Sequence, residues 1–120
     1  MLFRSNRAAA QNADFTLNTT GSPAARNSFV IVYLTDVGAL SVAVPTGQAA
    51  PSDPPARAAG RATASIGGVN ATVLFLGLTP GLVGVAQANI LVPPEASPGD
   101  QTLTLSIDGQ TSNEATVSVR

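Results

Sequence analysis

Short apolar runs alternate with polar and Gly/Pro-rich stretches along the whole chain. No stretch keeps the recurrence of an amphipathic helix, so the pattern predicts many short strands joined by turns. Gln101 to Ile107 is the clearest case. Leu103, Leu105 and Ile107 fall on one face and Thr102, Thr104 and Ser106 on the other, as in an antiparallel strand with one buried side. Ala115, Val117 and Val119 alternate with Thr116 and Ser118 in the same way. Ser28 to Thr35, SFVIVYLT, is apolar at nearly every position and predicts a central strand covered on both faces. Val85 to Val92 predicts another, stopped by Pro93-Pro94. Ala62 to Ile66 and Ala71 to Leu76 predict a hairpin around Gly67-Gly68, because tight hairpin turns need positive φ.

Ala8 to Asn12 predicts a first short strand, and Ala13 to Pro23 a polar turn region. Asp36 to Gly60 carries Pro45, Pro51, Pro54 and Pro55, so it cannot be a central strand. Val42 and Val44 suit a short edge strand inside this long loop. Leu78 to Gly84 reads as a Gly/Pro turn, and Asp108-Gly109 opens the last turn. About seven strands in 120 residues predict one all-β domain, a β-sandwich.

Composition narrows the chemistry. Residues are 44% hydrophobic, but much of that is Ala, which buries little area per residue. Charged residues make up 11%, the net charge is -1, and Lys is absent. Arg4, Arg7, Arg26, Arg57, Arg61 and Arg120 are scattered and form no basic stripe, so no nucleic-acid partner is expected. No apolar run is long enough for a transmembrane helix, so no membrane insertion is expected. There is no His and no Cys. That removes Ser-His and Cys-His nucleophile pairs, thiolate and imidazole zinc sites, and the usual neutral-pH acid/base. Asp36, Asp53, Asp100, Asp108, Glu95 and Glu114 show no spacing that selects a glycosidase pair. The expectation is a protein that is not an enzyme, with no catalytic residue, cofactor or metal.

Several motifs follow one another along the chain: PTGQAAPSDP from Pro45 to Pro54, then IGGVNATVLF, PGLVGVAQANILVP and GQTSN within Ile66 to Asn113. In order and spacing these resemble a C-terminal domain of unknown function found at the ends of large secreted proteins of Solibacter-type acidobacteria. AQNAD from Ala10 to Asp14 and the strand from Phe29 to Gly38 match more loosely, and the resemblance covers roughly residues 8 to 120. It implies an immunoglobulin-like domain of the IPT/TIG kind and an extracellular or cell-surface location. Two positions depart from the pattern: Ala86 stands where the family often has Tyr, and Asp36 where it often has Gly.

The first five residues read MLFRS. The codons CTC TTC CGA TCT encode Leu-Phe-Arg-Ser and resemble the end of a common short-read sequencing adapter, with GTG as the start. Residues 1–7 are therefore expected to be a non-native or disordered leader, of which 1–5 are artefactual. The domain is expected to span 8–120 as the tail of a longer protein.

Candidate sites are few. Gln87 and Asn89 alternate along a strand and share a face, which suits a polar recognition strip. The plainer alternative is that their amides satisfy backbone groups of the adjoining long loop. Asn12, Asp14 and Asn18 offer calcium-type oxygens in one turn, but with a single carboxylate and no EF-type spacing, and turn formation explains the same residues without a metal. Tyr33 and Phe29 share a face of the central strand, Phe75 is expected in the core with Val73, and Phe15 alone is expected to be exposed.

The functional expectation is a non-catalytic structural or interaction module closing a larger secreted or cell-surface bacterial protein. Its partners would be the upstream domains of its parent, with glycans or surface proteins beyond them. A carbohydrate- or surface-binding accessory module of an extracellular enzyme or adhesin, and a C-terminal sorting domain, are the alternatives.

Overall fold

The computed structural model describes residues 8–34, 40, 44, 47–52, 56–82, 85–112 and 114–120. The expected leader, Asp36, Val42 and Asp53 lie outside the described residues, and Val44 belongs to no strand.

Among the described residues the chain is all-β, with nine strands. They are β1 (Ala9–Asn12), β2 (Phe29–Leu34), β3 (Ala62–Ile66), β4 (Val69–Ala71), β5 (Val73–Leu78), β6 (Ala86–Leu91), β7 (Gly99–Ile107), β8 (Gln110–Thr111) and β9 (Ala115–Val119). They form two antiparallel sheets packed as a β-sandwich. One sheet has the order β1-β2-β6-β5. In the other, β4-β3-β7 continues to β8 and β9, which follow one another along the far edge of β7.

The count exceeds the expected seven for two local reasons. The hairpin after β3 turns at Gly67 and Gly68, with φ of 60° and 82°, and pairs Ile66 with Val69. Its second strand does not run straight on. It pairs with β3 only through Ala71, then crosses at Thr72 to the opposite sheet, where β5 lies against β6. The second extra strand comes from a one-residue slip. Ser106 faces Thr111, but Leu103 faces Ala115, so the returning strand holds one residue more than β7. Ser112 fills the gap. Its N–H donates to the Leu105 carbonyl at 2.7 Å, and its hydroxyl accepts from the Leu105 N–H at 3.1 Å.

The core lies between the sheets. Val30, Val32, Leu34, Leu76, Ala88 and Ile90 come from one inner face, and Ala64, Ile66, Leu103, Leu105 and Val117 from the other. Each fully buried Val, Leu or Ile contributes about 1.5–3 kcal/mol, so these few side chains outweigh the many small alanines. The outer face of the second sheet is a hydroxyl lattice. Ser65 and Thr104 sit 2.5 Å apart across β3 and β7, and Ser106 and Thr111 sit 3.0 Å apart across β7 and β8.

The turn motifs hold segments together. Gly81, with φ of 79°, donates its N–H to the Ala50 carbonyl at 2.8 Å, and Ala50 donates to Leu82 at 2.9 Å. The PGL turn thereby grips the loop that carries PTGQAAP. Val92, ahead of the paired prolines, donates to Ser28 at 2.8 Å and accepts from Asn27 at 2.9 Å.

Candidate functional site

Register fixes what the outer face of the β1-β2-β6-β5 sheet presents. Ala9, Tyr33, Gln87 and Gly77 form one cross-strand row, and Gln11, Ile31, Asn89 and Phe75 the next. Phe29 and Leu91 pair at the end of the face. Gln87 and Asn89 therefore sit near its centre, flanked by Tyr33 on one side and Phe75 on the other. Ile31 is buried beneath its neighbours, whereas Gln11, Phe29, Tyr33, Phe75, Gln87 and Asn89 are half-buried.

The polar groups of this face orient one another. Gln87 Nε2 donates to Asn89 Oδ1 at 2.9 Å, and the Tyr33 hydroxyl donates to Gln11 Oε1 at 3.0 Å. Neither amide of the central pair bonds a backbone group among the described residues. Gln87 Oε1 and the Asn89 Nδ2 protons carry no bond among the described residues, and neither atom is sealed from solvent.

Phe75 is not the core residue its spacing from Val73 suggests. A β-bulge at Leu74 separates them: Val73 faces Ile90 on the inner side, while Phe75 faces Asn89 on the outer side. Arg57 then completes the surface. Its segment pairs with the edge of β5, with Ala58 donating to Leu76 at 2.8 Å and Leu78 donating to Ala56 at 2.9 Å. The Arg57 guanidinium lies 4.9 Å from the centroid of the Phe75 ring. Gly77 makes this approach possible, since a Cβ there would sit 2.2 Å from the Ala56 carbonyl oxygen.

The polar turn at the opposite end of β1 resolves into two parts. Asn12 and Asn18 come together and are buried. Asn18 Nδ2 donates to Asn12 Oδ1 and to the Ser118 carbonyl, both at 2.9 Å, and Asn18 Oδ1 accepts the Ser118 N–H at 2.8 Å. A side-chain amide thus takes the place of a neighbouring strand beside β9. Asn12 Nδ2 donates in turn to the Ser22 carbonyl at 2.8 Å and to Thr16 Oγ1 at 3.1 Å. Ser118 turns both backbone groups away from β7, so Asp100 and Ser118 are a pair not bonded through their backbones, the kind with the closest side chains. The Ser118 hydroxyl bonds the Asp100 carboxylate, and Thr20 Oγ1 reaches both carboxylate oxygens at 3.2 Å.

Asp14 stands apart in an open cleft of about 320 Å³ that is also lined by Asn12, Thr16, Ser22 and Arg120. Its Oδ1 accepts the Thr16 hydroxyl at 2.6 Å and the Thr16 N–H at 3.1 Å. The hydroxyl first, then the N–H, hold the carboxyl below its ordinary value, and the Arg120 charge adds a smaller pull. The three calcium-type residues therefore do not converge. The asparagine oxygens already accept protein donors, and Asp14 Oδ1 accepts from Thr16. No cluster of three acidic, His or Cys side chains occurs among the described residues. Phe15 is exposed as expected, at 68%, and holds a left-handed φ of 67°.

The Asn12–Asn18–Ser118 clasp was not legible as a unit, because its halves are 100 residues apart in sequence. Arg57 was missed because nothing in the loop composition says which residue returns to the edge of β5. No protein-family model, curated protein or solved structure matches this chain.

Proposed function

We propose that this chain is a non-catalytic interaction module that closes a larger secreted or cell-surface bacterial protein and binds through the outer face of the β1-β2-β6-β5 sheet. The observation that carries this reading is the Gln87–Asn89 pair. The two amides are held at 2.9 Å by each other and retain donor and acceptor capacity toward solvent. Polar groups whose positions are fixed before a partner arrives lose less freedom on binding. The missing His and Cys turn the reading away from chemistry and toward recognition. The resemblance to acidobacterial C-terminal domains supports the extracellular part of it, as well as the IPT/TIG-like assignment.

The test is retention of a fluorescent-protein fusion of the full chain on the surface polymers of the producing cells. The fusion should be retained, and a Gln87→Ala/Asn89→Ala variant should fall to the level of the fluorescent protein alone. Equal retention of both, or of neither, refutes the reading.

A further inference from the structure

We infer that the ligand of this face is a neutral polysaccharide, an inference that rests on the proposed binding role of the same face. Three observations select the chemistry. The first is charge. Among the described residues of this face there is no carboxylate, and Arg57 is the single cation, already stacked on Phe75. A cationic partner finds no counter-charge here, and a polyanion finds no basic stripe.

The second is the polar pattern. The Gln87–Asn89 bond leaves an acceptor, Gln87 Oε1, beside the donors of Asn89 Nδ2. The Tyr33–Gln11 bond likewise leaves donors on Gln11 Nε2 beside a phenolic oxygen that still accepts. Paired donors and acceptors suit hydroxyl groups, which donate and accept at once. A carboxylate or phosphate would use only the donors and leave the acceptors facing its oxygens. The half-buried rings of Tyr33, Phe29 and Phe75 supply apolar surface next to these groups, as the C–H face of a pyranose requires.

The third is the shape of what the face can hold. From β1 to β5 it spans three inter-strand spacings, roughly 14 Å. The polar groups lie along that line, across the strands, not down one pocket. An extended polymer laid across the strands meets Gln11, Tyr33, Gln87, Asn89 and Phe75 in turn. An extended peptide would bind by adding to a sheet edge, but the β5 edge is occupied by Ala56–Ala58 and the β1 edge by Leu17 and Asn18.

The experiment uses the full 120-residue chain. Native gels containing xyloglucan, galactomannan or polygalacturonate measure retardation, and amide chemical shifts map the contact. A neutral polysaccharide should retard the protein, shift the resonances of Tyr33, Gln87 and Asn89, and bind the Gln87→Ala/Asn89→Ala variant at least about tenfold more weakly. The mapping on unaltered protein stands even if the variant folds poorly. Retardation by polygalacturonate alone, no retardation by either neutral polymer, or shifts confined to another surface overturns the inference. Cell-surface retention that depends on Gln87 and Asn89 but resists competition by both neutral polymers overturns the ligand class and leaves the binding role intact. Loss of that retention altogether removes the binding role as well.

Discussion

Replacing Asn18 by Ala should cost the domain about 3 kcal/mol. The amide donates to Asn12 Oδ1 and the Ser118 carbonyl and accepts from the Ser118 N–H. The consequences differ between them. The Ser118 carbonyl keeps a second donor, the Ala24 N–H at 2.9 Å. The Ser118 N–H and Asn12 Oδ1 lose the partner Asn18 supplies. Ser118 is 1% exposed and Asn12 is 7% exposed, so water has little access to either in the intact fold. A buried polar group left unmet costs about 1–3 kcal/mol, and two of them set the estimate. At roughly 4 °C per kcal/mol for a chain of this size, the thermal midpoint should fall by about 12 °C. Calorimetry on the purified protein measures this, with Asn70→Ala on the exposed strand β4 as the control, expected within about 0.5 kcal/mol of the parent. Asn12→Ala provides a second check. Once Oδ1 is gone, Asn18→Ala orphans one group fewer, so the double variant should be more stable than additivity predicts by about 1 kcal/mol. A fall below about 4 °C for Asn18→Ala, or strict additivity, would show that the clasp does not hold the N-terminal turn to β9 in the way described.

Two further outcomes follow from local geometry. Gly77→Ala should destabilise by about 1–3 kcal/mol, because its Cβ would meet backbone at 2.2 Å, whereas Gly21→Ala, whose nearest neighbour is 4.0 Å away, should be neutral to about 0.5 kcal/mol; equal midpoints in urea would contradict the proposed close approach. The Asp14 carboxyl should titrate below the ordinary value, so its small stabilising effect is present above the unfolded-state pKa and is lost as pH falls through the lowered folded value. Thr16→Val removes the largest cause and should move the Asp14 midpoint back up in a carboxyl NMR titration; an unmoved midpoint would reject the hydroxyl as the cause.

Strand positions were legible because each side chain reports its own exposure. Leu103, Leu105 and Ile107 against Thr102, Thr104 and Ser106 carry the period in the letters themselves, and β7 lies where they put it. The turns at Gly67-Gly68 and Asp108-Gly109 were legible for a related reason. Their positive φ angles suit few residues, so the sequence marks them. Facing was harder. One extra residue at Leu74 inverts every later assignment on β5, and no residue type announces a bulge. That is why Phe75, expected inside, ends beside Asn89. The crossing at Thr72 is invisible for a similar reason: a single residue separates β4 from β5, yet the two strands serve different sheets. Long-range pairings were not legible at all. Asn12 and Asn18 look like turn formers, and they are, but their buried partners on β9 lie at the far end of the chain.

The low charge of the chain and the closure of its edges have a common logic. An unpaired strand edge invites another chain to add to it, and many β-proteins repel such additions with edge lysines. This chain has no Lys and only 11% charged residues. It closes edges with backbone and amide groups instead. Along β9, Thr116 accepts from Ala8 and Ser118 is held by Asn18 and Ala24. On β5, Ala56 and Ala58 exchange bonds with Leu78 and Leu76. On β1, Ala10 accepts from Asn18, while β4 is only three residues long. A partner that reaches these sheets meets few backbone groups free to pair. On the proposed reading, recognition falls to side chains on an open face, and the face with oriented amides that keep hydrogen-bonding capacity is the one built around Gln87 and Asn89. The Ser/Thr lattice on the opposite sheet instead spends several hydroxyls on its own cross-strand pairs. The same economy explains Arg57. With so few charges, one placed on the ring of Phe75 anchors the edge-closing segment and shapes the end of the outer face at once.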